Sequence, residues 1–205
     1  MRWNLFCRAM FDALRKIAVL TAAFAAALLC SCIKSDGSTH VECPSAAAPA
    51  PNETPRGISS VDGVWLMLDK DADNEPESVI VVYERGGLRF AKMVAVYHNG
   101  KIDDTIEKPL ERAKGLAGNP PLCGLDFVWN LKPSDGGKYV GKVVNPDDGG
   151  VYRCKLWVDV PSQRLVLRGE LFVFGESEYL VPFDAAKLPF KLDISKLSPV
   201  LPKSE

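Results

Sequence analysis

The chain has 205 residues, of which 47% are hydrophobic and 25% charged, and its formal net charge at pH 7 is −1. These shares are those of an ordinary globular protein, and the mixed charges argue against a nucleic-acid-binding surface. No internal repeat of roughly 20–50 residues is visible, which argues against a solenoid.

Residues 1–32 are predicted to form a bacterial lipoprotein signal peptide. A positively charged N-terminus precedes an apolar run from Ile17 to Leu29, shorter than the roughly 20 residues that span a bilayer. The run ends in Leu29-Cys30-Ser31-Cys32 and resembles the lipobox, in which a small residue directly precedes the lipidated cysteine. We therefore expect a lipid anchor at Cys32 rather than Cys30, in the bacterial cell envelope, periplasmic or surface-facing. The alternatives are an ordinary cleaved signal and a signal anchor.

Three further regions are predicted behind this signal. Residues 33–57 form a flexible tether, because this stretch has too little apolar surface to fold. Residues 58–183 form the folded domain. Residues 184–205 are a proline-rich C-terminal extension whose alternating apolar residues predict an extended segment lying against the domain.

The domain reads as an all-β protein. Short apolar runs alternate with clusters of Asp, Asn, Gly and Pro, the pattern of consecutive antiparallel strands. In the run Val151–Val158 one face is apolar and the other largely polar, as in a strand that is buried on one side. About eight strands are predicted: Gly63–Leu68, Ser78–Glu84, Leu88–Tyr97, Leu125–Asn130, Lys138–Val144, Val151–Val160, Arg164–Leu171 and Phe172–Val181.

Two connections need separate interpretation. The acidic residues 69–76 have the spacing of a calcium loop, but that loop requires glycine at its sixth position and glutamate at its twelfth. Asn74 and Ile80 occupy those positions, so a solvated hairpin connection is predicted instead. Residues 98–118 are predicted to be a long loop, because Pro109 interrupts the stretch with helical character.

Several short motifs occur in the order found in one family of exported bacterial domains. The motifs are Gly63-x-Trp65, Ser78-Val79-Ile80, Pro121-Leu122-x-Gly124-Leu125, Gly141-Lys142-Val143-Val144-Asn145-Pro146, Gly150-Val151-Tyr152 and Leu165-x-Leu167-Arg168-Gly169. By these motifs the chain resembles domain-of-unknown-function family 2147, over about residues 60–183. The resemblance implies an up-and-down antiparallel β-barrel similar to lipocalins, with no established activity.

An eight-stranded barrel either holds one small ligand or is filled by side chains. By analogy with lipocalins, Trp65 is expected to stack on Arg168, where the pair either frames a pocket or plugs the closed end of the barrel. Tyr83, Phe127 and Tyr152 are the other predicted interior residues, as ligand contacts or as core.

The sequence predicts neither a catalytic site nor a cofactor. The two histidines, His40 and His98, lie in the tether and in a turn, which leaves no clustered metal ligands and no catalytic triad. Cys123 and Cys154 both lie inside the domain and are the favoured disulfide in an oxidising compartment. A bridge from Cys43 is the alternative.

Three functions are compatible with these features. The first is a membrane-anchored lipoprotein whose barrel binds or carries a small, largely hydrophobic ligand. The second is a filled barrel that acts as a structural or protein-interaction module of the envelope. The third is an envelope enzyme, which no residue pattern supports. An open apolar interior favours the first function, and a packed interior with an exposed apolar patch favours the second.

Overall fold

The computed structural model of the protein describes residues 58–70, 72–171 and 174–203. The predicted signal peptide with Cys32 and the predicted tether lie outside the described residues. In the described part, three single-turn 3-10 helices, Asp135–Gly137, Ala185–Lys187 and Ile194–Lys196, accompany the strands. The strands are β1 (Gly63–Asp69), β2 (Glu75–Arg85), β3 (Leu88–His98), β4 (Lys101–Thr105), β5 (Asp126–Pro133), β6 (Tyr139–Val144), β7 (Val151–Asp159), β8 (Arg164–Leu171) and β9 (Phe174–Pro182).

Eight of these strands close into an antiparallel barrel in the order β1, β2, β3, β5, β6, β7, β8 and β9. The seam between β1 and β9 is short, with Trp65 opposite Pro182 and Leu66 opposite Val181. The Phe183 N–H extends the seam by donating to the carbonyl oxygen of Val64. The predicted all-β, up-and-down barrel of about eight strands is therefore confirmed.

The ninth strand, β4, lies outside the barrel in the segment predicted to be a loop. That prediction was wrong because β3 is longer than the ladder it shares with β5. Arg89 to Lys92 pair with β5, whereas the later residues Ala95 to His98 pair with β4. The turn between β3 and β4 uses Asn99 and Gly100 at positive φ, which is the backbone that a tight hairpin requires.

The strand register assigns each side chain to the inner or the outer face of the barrel wall. Between β7 and β8, Leu156 pairs with Leu167, and both are buried on the inner face. The intervening Lys155 pairs with Arg168 on the outer face. At these positions of the β7–β8 ladder the inner face is therefore apolar and the outer face carries cations, as expected for strands with one solvated face.

The outer face of β2 and β3 is also buried, because the C-terminal segment covers it. Residues 184–203, here named the C-terminal strap, pack several apolar side chains against the core. Val200 and Asp126 exchange hydrogen bonds, since each backbone N–H donates to an oxygen of the other residue. At the other end of the strap, Arg85 Nε donates to the carbonyl oxygen of Leu197. The extension thus lies against the barrel, on its wall rather than at a sheet edge.

Candidate functional site

The middle of the barrel is filled by side chains. The inner-facing residues of the central layers are almost completely buried, so this region has no room for a ligand. The residues concerned are each at most 2% exposed: Ile80, Met93, Leu156, Leu165, Leu167 and Leu180. Trp65 belongs to the same core, and its Nε1 donates a 2.9 Å hydrogen bond to the carbonyl oxygen of Val61.

Arg168 does not stack on Trp65 as expected. It lies on the outer face of β8, where its Nη1 is 3.2 Å from Ser177 Oγ, whereas Trp65 is buried in the core. The analogy with lipocalins therefore placed Arg168 on the wrong side of the wall. Leucines at 165 and 167 already indicate this, because strand alternation puts Arg168 on the opposite face.

Arg89 pairs with Asp62, which directly precedes β1, and stacks on Tyr139 at the beginning of β6. Its guanidinium lies 4.4 Å from the centre of the Tyr139 ring and donates to both carboxylate oxygens of Asp62, at 2.8 and 3.0 Å. This bidentate pair with a stacked aromatic ring is an arrangement that arginine favours. Arg89 was not among the residues predicted from the sequence, although its spacing from Ala91 and Met93 in β3 places it on the inner face.

Tyr83 is buried but does not face the barrel interior. It lies on the outer face of β2, and its hydroxyl donates a 2.9 Å hydrogen bond to Asp126 Oδ1. Burial, followed by the negative charge of Asp126, raises the pKa of the Tyr83 phenol well above its usual value. Lys92 completes this group, with its Nζ 2.8 Å from Asp126 Oδ2. The predicted interior role of Tyr83 is thus corrected to a role beneath the strap.

Phe127 and Tyr152 occupy different environments. Phe127 is 2% exposed and lies where β5 loses register with β3, so it is part of the core. Tyr152 is partly buried and borders a cavity of about 610 Å³ in the outer wall. Of the five residues predicted to contact a ligand, Tyr152 is thus the one that borders this cavity.

We name this cavity the lateral cleft. It exists because β5 departs from regular pairing between Trp129 and Lys132, where Asn130 has a φ of 55°. Gly141 faces this irregularity, and a Cβ there would lie 2.6 Å from the Trp129 carbonyl oxygen. The glycine therefore allows β6 to approach β5. The outer-face side chains that line the cleft are Leu88, Lys132, Val140, Lys142, Val151 and Arg153.

The outer wall beside the lateral cleft is rich in cations. Glu170 Oε1 lies 2.6 Å from Lys155 Nζ and 3.9 Å from Arg168 Nε. Arg153 Nε is 3.8 Å from the other oxygen of the same carboxylate. Lys132 and Lys142 form no ion pair with any described residue. The Glu170 carboxylate thus lies within 4 Å of three cations. Lys132 and Lys142 have no counter-charge in the described structure.

Cys123 and Cys154 are both free thiols and both buried, so the expected disulfide is not formed. Cys154 faces the barrel interior opposite Gly141 and Gly169, whereas Cys123 lies in the segment between β4 and β5. Burial raises the pKa of the Cys154 thiol to about 12. Burial, with the nearby Asp104 carboxylate, also raises the pKa of Cys123. Such thiols are poor nucleophiles.

Carboxylates also gather near the turn between β1 and β2. Burial and the charges of Asp69 and Glu178 raise the pKa of Glu77 to about 7. Burial raises the pKa of Glu178 too, although Lys70, whose Nζ lies 2.9 Å away, partly offsets this. Among the described residues, no three His, Cys, Asp or Glu side chains form a group that could hold a metal ion. No helix in this part of the chain is long and apolar enough to cross a membrane.

Comparison with known proteins identifies a family. The model of a family described as an uncharacterized protein conserved in bacteria (DUF2147) matches residues 63–181. The match begins at the first residue of β1 and ends one residue before the end of β9, which confirms the resemblance seen in the sequence motifs. No curated protein and no solved structure matches the chain.

Proposed function

We propose that this chain, which belongs to the bacterial family DUF2147, is a lipid-anchored envelope protein that binds a small ligand at the lateral cleft. The observation that carries the proposal is the contrast between a filled barrel interior and an open cavity of about 610 Å³ in the wall. A cavity of this size is within the usual range of small-molecule sites, roughly 300–1,000 Å³.

Apolar contacts support a ligand that is at least partly hydrophobic. Leu88, Val140 and Val151 line the lateral cleft, and Val151 is 44% exposed. Covering such side chains removes apolar surface from water, which is the main favourable contribution to binding in small-molecule sites. The proposed ligand is hydrophobic, as predicted from the sequence, but its site is in the barrel wall rather than in the barrel interior. We assign a binding role rather than a catalytic one.

The membrane anchor is supported by the sequence. Cys32 follows the apolar run at the position of a lipidated cysteine, and residues 33–57 separate it from the first described residue. An acyl anchor at Cys32 would hold the lateral cleft close to the membrane surface, where hydrophobic molecules are concentrated. Labelling cells with an alkyne-bearing fatty acid tests this. Cys32→Ala is expected to abolish labelling and Cys30→Ala to preserve it.

A second candidate is a protein-interaction module, which the strap favours. Val200 and Leu201 are adjacent and are 50% and 47% exposed, although the strap is hydrogen-bonded to β5 through Asp126. Exposed apolar neighbours on a packed segment suit a protein contact. Cross-linking at this position in intact cells, compared with cross-linking at Val151, separates the two candidates.

Native mass spectrometry of the full chain, purified from bacterial envelopes, tests ligand binding. A reproducible mass excess that disappears on denaturation is the expected result. Val151→Asp, which places a carboxylate in the cleft, is expected to remove it, whereas Val160→Asp at a position that is 63% exposed is the matched control. A bare mass in the wild-type chain, together with no binding of hydrophobic probes, would contradict the proposal.

A further inference from the structure

The β6–β7 and β7–β8 ladders differ in how the charges on their outer faces are balanced. On the outer face, Lys142 lies directly opposite Arg153 in the register. Like charges at directly opposed positions of a sheet repel one another and destabilise the pairing. A second cationic pair, Lys155 and Arg168, is directly opposed between β7 and β8. An anion beside either of these neighbouring cation pairs would relieve the repulsion.

Only the second of these pairs has a close anion within the described structure. Glu170 Oε1 is 2.6 Å from Lys155 Nζ, a hydrogen-bonded ion pair. The register also places Glu170 opposite Arg153, yet its nearer oxygen is 3.8 Å from Arg153 Nε, beyond hydrogen-bond distance. The carboxylate thus leans towards Lys155. Lys142 has no ion-pair partner among the described residues.

The pair without a hydrogen-bonded anion in the described structure, Lys142 and Arg153, lines the lateral cleft. Lys142 and Arg153 border it on β6 and β7, and Lys132 borders it on β5. The remaining lining includes the apolar side chains Leu88, Val140 and Val151. One cavity therefore offers three cationic groups and an apolar surface together. Cationic groups attract and orient anions, and guanidinium and ammonium groups form their strongest hydrogen bonds with carboxylate and phosphate oxygens.

From this geometry we infer that the lateral cleft binds an anionic amphiphile, with its carboxylate or phosphate head group between Lys142 and Arg153. Its apolar chain lies against Val140 and Val151. The inference rests on the proposed function and adds the chemical class of the ligand. The head group provides a negative charge for Lys142 and Arg153, in the same way that the Glu170 carboxylate does for Lys155.

The test uses the full chain in neutral phosphatidylcholine nanodiscs and measures binding by isothermal titration calorimetry, with empty discs subtracted. The probes are octyl phosphate, octanoate, neutral octyl glucoside and inorganic phosphate. Octyl phosphate or octanoate is expected to bind at least about tenfold more tightly than the neutral probe, since a charge-assisted hydrogen bond has about that effect. The two anionic probes together distinguish a phosphate from a carboxylate ligand.

Charge-neutralising variants localise the site. Lys142→Gln with Arg153→Gln is expected to remove the preference for the anionic probes, and the side chains are exposed enough that folding is retained. Lys101→Gln with Lys196→Gln makes the same charge change away from the cleft and is expected to leave binding unchanged. The preference is also expected to weaken as salt concentration rises, because exposed charges are screened.

Each other outcome overturns a defined part of the argument. Equal binding of neutral and anionic probes overturns the inferred ligand class while leaving the cleft as a binding site. If inorganic phosphate binds as tightly as octyl phosphate, the apolar chain does not contribute to binding and the inferred amphiphilic ligand is wrong. If the Lys142→Gln/Arg153→Gln variant still prefers the anionic probes, the head group does not bind between these two residues. No binding of any probe, together with a bare native mass, overturns the proposed function itself.

Discussion

The Lys92 ammonium lies 2.8 Å from the Asp126 carboxylate, and these side chains are only 4% and 0% exposed. Asp126 also accepts hydrogen bonds from the Tyr83 hydroxyl and from the backbone N–H of Val200. One buried carboxylate therefore joins β2, β3 and β5 to the strap. Removing this carboxylate would leave the buried Lys92 ammonium without a counter-charge, which is costly in free energy.

We expect Asp126→Asn to lower the free energy of unfolding by about 3–5 kcal/mol, because the Lys92 ammonium remains buried without a counter-charge. Urea unfolding followed by circular dichroism measures the change. Asp135→Asn, in an exposed turn, is the matched control. Adding Lys92→Met to Asp126→Asn is expected to recover part of the loss. A decrease below about 1 kcal/mol in the single variant would show that the pair contributes little.

The strap is expected to loosen when Arg85 is replaced by alanine. The Arg85 guanidinium donates to the carbonyl oxygen of Leu197 at 2.9 Å and also to that of Ser195. Loss of these charge-assisted hydrogen bonds is expected to accelerate amide hydrogen exchange around residues 194–201 and to lower stability by about 1–2 kcal/mol. Lys196→Ala, on a side chain that is 82% exposed, is the control. Unchanged exchange in Arg85→Ala would contradict this account of the strap.

Glu77 is expected to make the protein less stable as pH rises. Its pKa is about 7 in the folded protein and 4.5 in its ordinary state, because it is partly buried and lies near Asp69 and Glu178. Between these values the folded state holds a proton that the unfolded state has released, so stability falls as pH increases from 4.5 to 7.

Glu77→Gln removes this penalty. The variant is expected to gain stability relative to the wild type as pH rises through that window, reaching at most about 3 kcal/mol above it. Urea unfolding at a series of pH values measures the difference. Glu75→Gln, an exposed residue in the same hairpin, is expected to show no such trend. A constant difference between Glu77→Gln and the wild type at all pH values would rule out the titration.

Cys123 and Cys154 are expected to resist alkylation in the native protein, because both thiols are buried and their pKa values are raised. Mass spectrometry of tryptic peptides after iodoacetamide treatment, with and without urea, measures the modification at each thiol. Both are expected to react once the chain unfolds. A disulfide-linked peptide containing both cysteines, or rapid labelling without urea, would contradict the structure.

Local pattern was sufficient for most of the fold. Period-2 alternation and turn residues predicted the barrel strands, because apolar and polar residues alternate in a strand with one solvated face. Gly86 and Gly87 illustrate the turns: both have positive φ, and they join β2 to β3 where the sequence predicted the hairpin. The strap was also predicted to lie against the barrel.

Alternation was uninformative where both faces of a strand are buried. Ile80 and Val81 are both buried although they face opposite sides of β2, so the sequence does not show on which side Tyr83 lies. The short polar strand β4 has no apolar face, and it forms because β3 extends beyond β5.

By itself, the sequence determined the all-β class, the order of the barrel strands and the family. The tertiary structure alone decided that the barrel is filled and that the cavity lies in its wall. The volume left inside a barrel depends on how side chains from several strands fit together. The lateral cleft depends on an irregular strand at Asn130 and on the close approach allowed by Gly141. Both features arise from contacts between distant parts of the chain, which local sequence periodicity does not encode.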